Sequence, residues 1–247
     1  MTEKIIVLSD IHANLSALEA VIADFESKGQ IPDALAILGD NINYGMRPNE
    51  VILRLQQLSD RYPTVVNLFG NHEKALLDND TSHFSTERGR QVLDYTRSIL
   101  SDNSYCHIQN LNHSGICEIE INSQKILFLH GNIDDPYWGT INKDTVSDLR
   151  YSDYDYVISG HSHKPHLIEF YFNADCPRLR NKRKTVFLNP GSVGQPRNQN
   201  PRAQYLFLDL GENLISFNSA SYNIRTEQDL YPDTIDAFYK ERLLLGI

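Results

Sequence analysis

Six apolar runs in this 247-residue chain each end in a short polar cluster, and that repetition restricts the fold more than any other feature. The clusters are Asp10-Ile11-His12, Gly39-Asp40, Gly70-Asn71-His72-Glu73, His130-Gly131, Gly160-His161-Ser162-His163 and Asn189-Pro190-Gly191-Ser192. Short apolar runs closed by glycine and polar residues read as buried strands. Residues 5–8, 34–38 and 64–69 are the first three. Between them Leu15, Leu18, Val21, Ile22 and Phe25 recur at helical spacing and stop at Gly29, and Val51, Ile52, Leu55 and Leu58 mark a second helix. The opening is therefore β-α-β-α-β, the pattern of a layered sheet. In open sheets of that kind ligands gather beyond the carboxyl ends of the strands, which is where these clusters lie.

After residue 115 the pattern turns to β. Residues 116–121 alternate late in the run, Asn122-Ser123 turns, and 125–129 lead back to His130. Residues 156–159 end at Gly160, 167–172 and 185–188 read as a hairpin, and 204–208 as a further strand. The expected class is α/β, an α+β four-layer arrangement in which a two-sheet β-sandwich is flanked by helices. No repeat or linker divides residues 1–247, so a single domain is expected. Residues 74–112 break the rhythm. They are polar and helical in character, with a partial stripe of Val92, Leu93, Tyr95, Thr96 and Ile99. They read either as a cap-like insertion beside the cluster end or as an ordinary peripheral helix pair. A short helical pattern follows residue 226 around Ile235, Phe238 and Leu243.

Composition narrows the partners. A formal net charge of −9 argues against broad nucleic-acid binding, although bound cations would reverse the field locally. No run is long and apolar enough to span a membrane. The start, MTEKIIVLSD, has neither the basic region nor the cleavage site of a secretory leader. Three cysteines are too few for a disulfide framework, and the cytoplasm is the expected compartment. Oligomerisation is left open.

The cluster side chains are those that hold borderline-to-hard divalent cations. If the backbone stays extended past the first strand, Asp10 and His12 point to one side, and His161 and His163 repeat that spacing. Asp40 has two oxygens with which to bridge two cations. Asn71 offers a neutral carbonyl oxygen and His130 another imidazole. These candidates outnumber the ligands of one tetrahedral site. Nitrogen and oxygen donors without thiolate suit Mn, Fe, Zn or Ni.

The ordered set D-x-H, G-D, G-N-H-E, H-G and G-H-S-H resembles the calcineurin-like metallophosphoesterase superfamily. The resemblance runs from residue 5 to about residue 208. The block Leu188-Asn189-Pro190-Gly191-Ser192-Val193-Gly194-Gln195-Pro196-Arg197 is similar to the small bacterial phosphodiesterase branch, as are Asp10-Ile11-His12-Ala13-Asn14 and Tyr44-Gly45 after Gly39-Asp40. The resemblance implies the metallophosphoesterase fold and two divalent metal ions, with manganese favoured. By the same resemblance Asp10, His12 and His163 match the ligands of one metal, and Asn71, His130 and His161 those of the other. Asp40 matches the carboxylate between them, and His72 the histidine that faces the scissile phosphate. Asn14 and Arg197 match polar positions near the substrate. The activity implied is metal-dependent hydrolysis of phosphate esters by water activated between two cations. A phosphodiesterase acting on a small or nucleotide-like substrate is favoured over a phosphomonoesterase, a dinucleoside polyphosphate hydrolase or a non-catalytic metal-binding scaffold. Three departures stand out. Ala13 sits where glycine is usual, and Glu73 where the bacterial branch has aspartate. The arginine that protein phosphatases carry soon after G-D is absent, since residues 41–44 read N-I-N-Y.

His83, His107, His113 and His166 fall outside the blocks and are expected to lie outside the site. Tyr44, Tyr137 and Trp138 suit either stacking on an aromatic substrate group or packing. Arg178, Arg180, Lys182, Arg183 and Lys184 form the one basic run. Because its flanking strands run away from and back to the clusters, about 20 Å of extended chain puts it at the far end.

Overall fold

The computed structural model describes residues 3–247. Ten strands form two five-stranded sheets. The first contains β1 (Lys4–Leu8), β2 (Ala34–Ile37), β3 (Thr64–Asn67), β9 (Ala203–Asp209) and β10 (Leu214–Ala220), in the order β10-β9-β1-β2-β3. The second contains β4 (Ile116–Ile121), β5 (Gln124–Leu129), β6 (Tyr156–Ser159), β7 (His166–Asn173) and β8 (Lys182–Asn189), in the order β4-β5-β6-β8-β7. β1, β2 and β3 are parallel, and so are β5, β6 and β8. Each sheet thus sends three carboxyl ends toward the cluster loops. β10 was not anticipated. It is an edge strand with half-exposed side chains, so it lacks the apolar run that marks the others.

Alternation along β1 shows how the layers form. Ile5 and Val7 face the second sheet and pack with Ile126, Phe128, Ile158 and Leu188. Ile6 and Leu8 face the other way, onto α1 (Leu15–Ser27) and α2 (Pro48–Arg61), among Leu18, Val21, Phe25, Val51 and Leu55. These helical positions are the ones the 3.6-residue spacing picks out. The outer face of the second sheet is covered by residues 132–154, whose Ile141, Val146 and Tyr151 pack on Leu127, Val157 and Phe187.

Residues 74–112 are helical, as expected. They contain most of α3 (Asn71–Asp78), then α4 (Glu87–Ile99) and α5 (Asp102–Gln109). The tail forms α6 (Ile224–Gln228) and α7 (Phe238–Leu245). Tyr231, Ile235, Tyr239 and Leu243 bury themselves with Met46 and Val92, which brings the tail and α4 together over one end of the sandwich. A partly buried ion pair between Arg47 and Glu227, with Ser16 N–H also donating to Glu227, ties α6 to the first turn of α1 and to the loop preceding α2. The basic run sits on and beside the β7–β8 turn. Lys182 pairs in register with Asn173, seven residues from Asn189 along β8 and remote from the clusters.

Candidate active site

Six loops converge at the carboxyl end of the sandwich. Asp10 N–H donates to Gly39 O and His12 N–H to Asp40 O, which stitches the β1 loop to the β2 loop. Gly160 N–H donates to His130 O, and Ser192 Oγ donates to Asp10 O. Close approach sets the glycines. At Gly70 a Cβ would collide with the Asp40 carboxylate, and at Gly39, where φ is +97°, it would come within 2.5 Å of Gly70 N. Glu73 is the fastener of this corner. Its buried carboxylate accepts from Asp40 N (2.9 Å), Gly70 N (2.9 Å), Asn41 N (2.7 Å) and Ile42 N (3.3 Å). Burial and the nearby Asp40 push its carboxyl up to about 7.

The loops place two groups of metal-type donors side by side. Asp10, His12, Asp40 and His163 form one, and Asp40, His130 and His161 the other. Within each, the ligand atoms lie within 4.8 Å of one another. Asn71 joins the second, its Oδ1 lying 2.9 Å from His130 Nε2 and 2.9 Å from His161 Nδ1. Asp40 Oδ2 is 3.4 Å from His130 Nε2 and 3.8 Å from His12 Nε2, so one oxygen faces both groups. The structure thus brings together all seven residues anticipated as ligands.

Their backbone is a correction. Asp10, His12, His161 and His163 are not extended. Their φ values are +54°, +49°, +61° and +58°, in the left-handed region. The chain coils around the donors, and contacts between the loops hold it there.

Second partners orient three of the imidazoles. Backbone carbonyls of Ile42, Leu38 and Gln195 lie 3.1, 2.8 and 2.6 Å from Nδ1 of His12, His130 and His163. With Nδ1–H donating to these carbonyls, each Nε2 is turned inward, an arrangement that metal-binding histidines use. The carboxylates are divided in the same way. Asp10 Oδ2 accepts from Ser9 Oγ (2.5 Å) and His161 N (3.1 Å), and Asp40 Oδ1 accepts from His72 N (2.9 Å). Asp10 Oδ1 and Asp40 Oδ2 are buried without any hydrogen-bond donor. Two such oxygens in a fully buried cluster would be costly by themselves. A cation in each donor group would satisfy both, so the residues fit a pair of divalent ions.

The charges agree with that fit. Burial opposes ionisation of Asp40, yet His130 and His72 hold its carboxyl well below the usual range, and His163 does the same for Asp10. Burial depresses His12, His163 and, to about 4, His161, leaving them neutral as metal ligands must be. His130 differs. Burial works against its charge, but Asp40 lifts it to about 9.

A cavity of about 250 Å³ opens beside this cluster, lined by Asp40, Asn71, His72, His161, His163 and Arg197 on its polar side. Its aromatic walls are Tyr44, Phe84, Trp138 and Tyr239. His72 meets Phe84 and Tyr44 edge-on, with ring centroids 5.3 and 4.6 Å apart. Tyr44 stacks on Tyr239 at 5.1 Å. His72 and Arg197 line this cavity, whereas Asn14 does not reach it. Asn14 is the N-cap of α1, accepting from Ala17 N (3.0 Å) and donating to Gly194 O and Tyr222 Oη (both 3.0 Å).

His83 is a second correction, since it lines the cavity and stacks on Trp138 at 4.7 Å. Phe84 and Tyr239 were not anticipated. The spacing of Tyr231, Ile235, Tyr239 and Leu243 at every fourth residue was the available sign for the tail. Nothing local marks Phe84. Segment 83–89 edges the cavity while α5 packs away from it, His107 bonding Gln56 of α2. A larger cavity, about 1060 Å³, lies at the β7–β8 turn, but it gathers no set of converging metal donors.

Residues 4–213 match the family model of the calcineurin-like phosphoesterase superfamily domain. An uncharacterized protein of Methanocaldococcus jannaschii is 28% identical over 255 residues, which cover 98% of each chain. The crystal structure of a metallophosphoesterase from Sphaerobacter thermophilus superposes with a TM-score of 0.75 at 26% identity, covering 99% of this chain and 100% of that one. A hypothetical protein of Pyrococcus horikoshii shares the fold, with a TM-score of 0.79 at 18% identity over 99% of this chain and 98% of its own. The donor cluster at the strand ends and a family match over most of the chain lead to one conclusion: this protein belongs to the calcineurin-like phosphoesterase superfamily and is a metal-dependent phosphoesterase.

Proposed function

We propose that the protein is a phosphodiesterase with a two-metal centre, acting on a small, nucleotide-like phosphate ester. The observation that carries this reading is the pair of unpartnered oxygens, Asp10 Oδ1 and Asp40 Oδ2, inside two adjoining donor groups that share Asp40. Asp10, His12, Asp40 and His163 would hold one ion, and Asp40, Asn71, His130 and His161 the other. When bound, the ions would supply charge neutralisation and an activated water. The donor chemistry admits Mn, Fe, Zn or Ni, and manganese is proposed on the family resemblance. Three free cysteines suit a reducing compartment, and we place the activity in the cytoplasm.

The chain's own residues supply the rest. Asn43 Nδ2 lies 2.6 Å from His72 Nδ1, and Thr96 Oγ1 donates to Asn43 Oδ1 at 3.2 Å. Donation by Asn43 to Nδ1 leaves the proton of His72 on Nε2, which faces Asp40 Oδ2 at 3.8 Å. Burial keeps the ring neutral, pushed down to about 4 although Asp40 opposes this. A neutral Nε2–H aimed at the reacting centre steadies charge on a phosphoryl or leaving oxygen. Arg197, whose Nε is buried and unpartnered, offers a planar fork to a nonbridging oxygen. The rings of Phe84, Trp138 and Tyr239 exclude water and suit a flat substituent.

The test is metal analysis together with turnover of bis-p-nitrophenyl phosphate and p-nitrophenyl phosphate. Two ions per chain and a preference for the diester are expected. His72→Ala should keep its metals and lose roughly 10²–10⁴-fold in kcat. Preference for the monoester would replace the diester reading with a phosphomonoesterase. Two bound metals without turnover of either ester would leave a scaffold.

A further inference from the structure

Arg197 and His161 line two cavities. One is the aromatic-walled cavity at the metal cluster, and the other is a cleft of about 570 Å³ on the opposite side. Thr140, Asn142, Lys143, Ser162, Lys164 and His166 complete the polar lining of this second cleft. Its character is unlike that of the protein as a whole. The chain carries −9 formal charges, yet no aspartate or glutamate lines the cleft. Elsewhere only about half of the basic side chains are matched to acids, as Lys184 is to Glu169 and Arg150 to Asp134 and Asp148. Lys143, Lys164 and Arg197 have no such partner among the described residues. One nitrogen atom of the lining, Arg197 Nε, is buried without an acceptor. Three unneutralised cations and a buried guanidinium N–H with nothing to bond describe a place prepared for an anion.

We infer that this cleft is an anion subsite, which binds a second phosphate of the substrate while the scissile phosphate lies at the metal cluster. The inference rests on the phosphodiesterase reading and narrows its substrate class. The favoured substrate has a flat group for the aromatic side and a further phosphate for the basic side, with the reacting phosphorus between. Arg197 stands between the two phosphates and can contact either. Lys143 and Lys164, both exposed at the rim, serve only the second.

Binding separates this idea from the chemistry. Thymidine 3′,5′-bisphosphate and thymidine 5′-monophosphate would be titrated calorimetrically into the metal-loaded protein and into a Lys143→Ala, Lys164→Ala double variant. The wild type should bind the bisphosphate at least tenfold more tightly, and the preference should weaken steeply with added salt. The double variant should lose the preference, with the difference appearing in the bisphosphate affinity. Equal affinities in the wild type, or an undiminished preference in the variant, would overturn the subsite. A variant that melts below the wild type would be replaced by Lys143→Gln, Lys164→Gln, judged by the same ratio. If the preference holds but bis-p-nitrophenyl phosphate is not hydrolysed, the phosphodiesterase reading fails and the subsite stands.

Discussion

At the scale of single residues, the donor cluster depends on backbone that most side chains avoid. Asp10, His12, Asp40, His161 and His163 all have φ between +49° and +61°. A left-handed conformation costs a non-glycine residue about 1–2 kcal/mol. Neighbouring Ala13, with φ at +53°, bears the same strain without a metal-type side chain to justify it. Glycine there would relieve about 1–2 kcal/mol. It would also cost about 0.5–1 kcal/mol of backbone entropy and about 0.8 kcal/mol of buried methyl. Ala13→Gly is therefore expected to change stability by less than about 1 kcal/mol in urea denaturation. Gly39→Ala has no compensation, because strain adds to a backbone collision with Gly70, and a loss of about 3 kcal/mol or more is expected. A Gly39→Ala protein as stable as the wild type would show that these loops pack less closely. The ligand identities were legible because each cluster is local in sequence. The left-handed backbone was not, because hydrogen bonds between loops about thirty residues apart impose it, such as His12 N–H to Asp40 O.

At the scale of elements, Glu73 acts from the first turn of α3 on the loop after β2. One carboxylate accepts four backbone N–H groups that would otherwise be buried and unsatisfied. Glu73→Gln exchanges one acceptor oxygen for a donor facing those groups. It should cost about 2–4 kcal/mol and weaken metal binding about 10–100-fold, measurable by thermal denaturation and metal titration. An unchanged metal affinity would mean that the Asp40 loop holds its shape unaided. α7 supports the opposite wall. Tyr239→Ala removes the partner of Tyr44, should cost about 3–5 kcal/mol and should raise KM for an aryl diester, whereas Tyr239→Phe should change little. The strand and helix framework up to β3 was readable because its periodicities are clean. The union of segment 83–89 with α7 was not, because it is a contact between two weakly patterned segments about 150 residues apart.

At the scale of the whole molecule, the histidines set opposing pH dependences. His72 and His161 fall to about 4 on burial, and His12 and His163 also lie below the ordinary 6.5. Below 6.5 the unfolded chain binds protons that these groups refuse when folded, so stability of the metal-free protein is lost as pH falls toward 4. His130 does the reverse. Despite burial it is held at about 9, so its contribution is complete below 6.5 and is lost as pH rises through 9. Glu73, raised to about 7, offsets part of the climb between 4.5 and 7, one group against four. Melting curves of the metal-free protein should therefore show greatest stability near pH 6.5. Metal uptake at pH 7 should release about one proton, from His130, and calorimetry in buffers of different ionisation enthalpy would count it. No release at pH 7 would contradict the raised His130.

The first sheet also governs when this site can exist. β1 sits between β2 and β9, with Ile6 opposite Phe207 across some two hundred residues of chain. Pairings that distant form slowly and late. A ribosome that has made the first 200 residues has already produced every candidate ligand from Asp10 to His163, but not the strand that flanks the first of them. The site is therefore completed only after residues 203–209 have been made and β9 has paired with β1, later than the last of its candidate ligands.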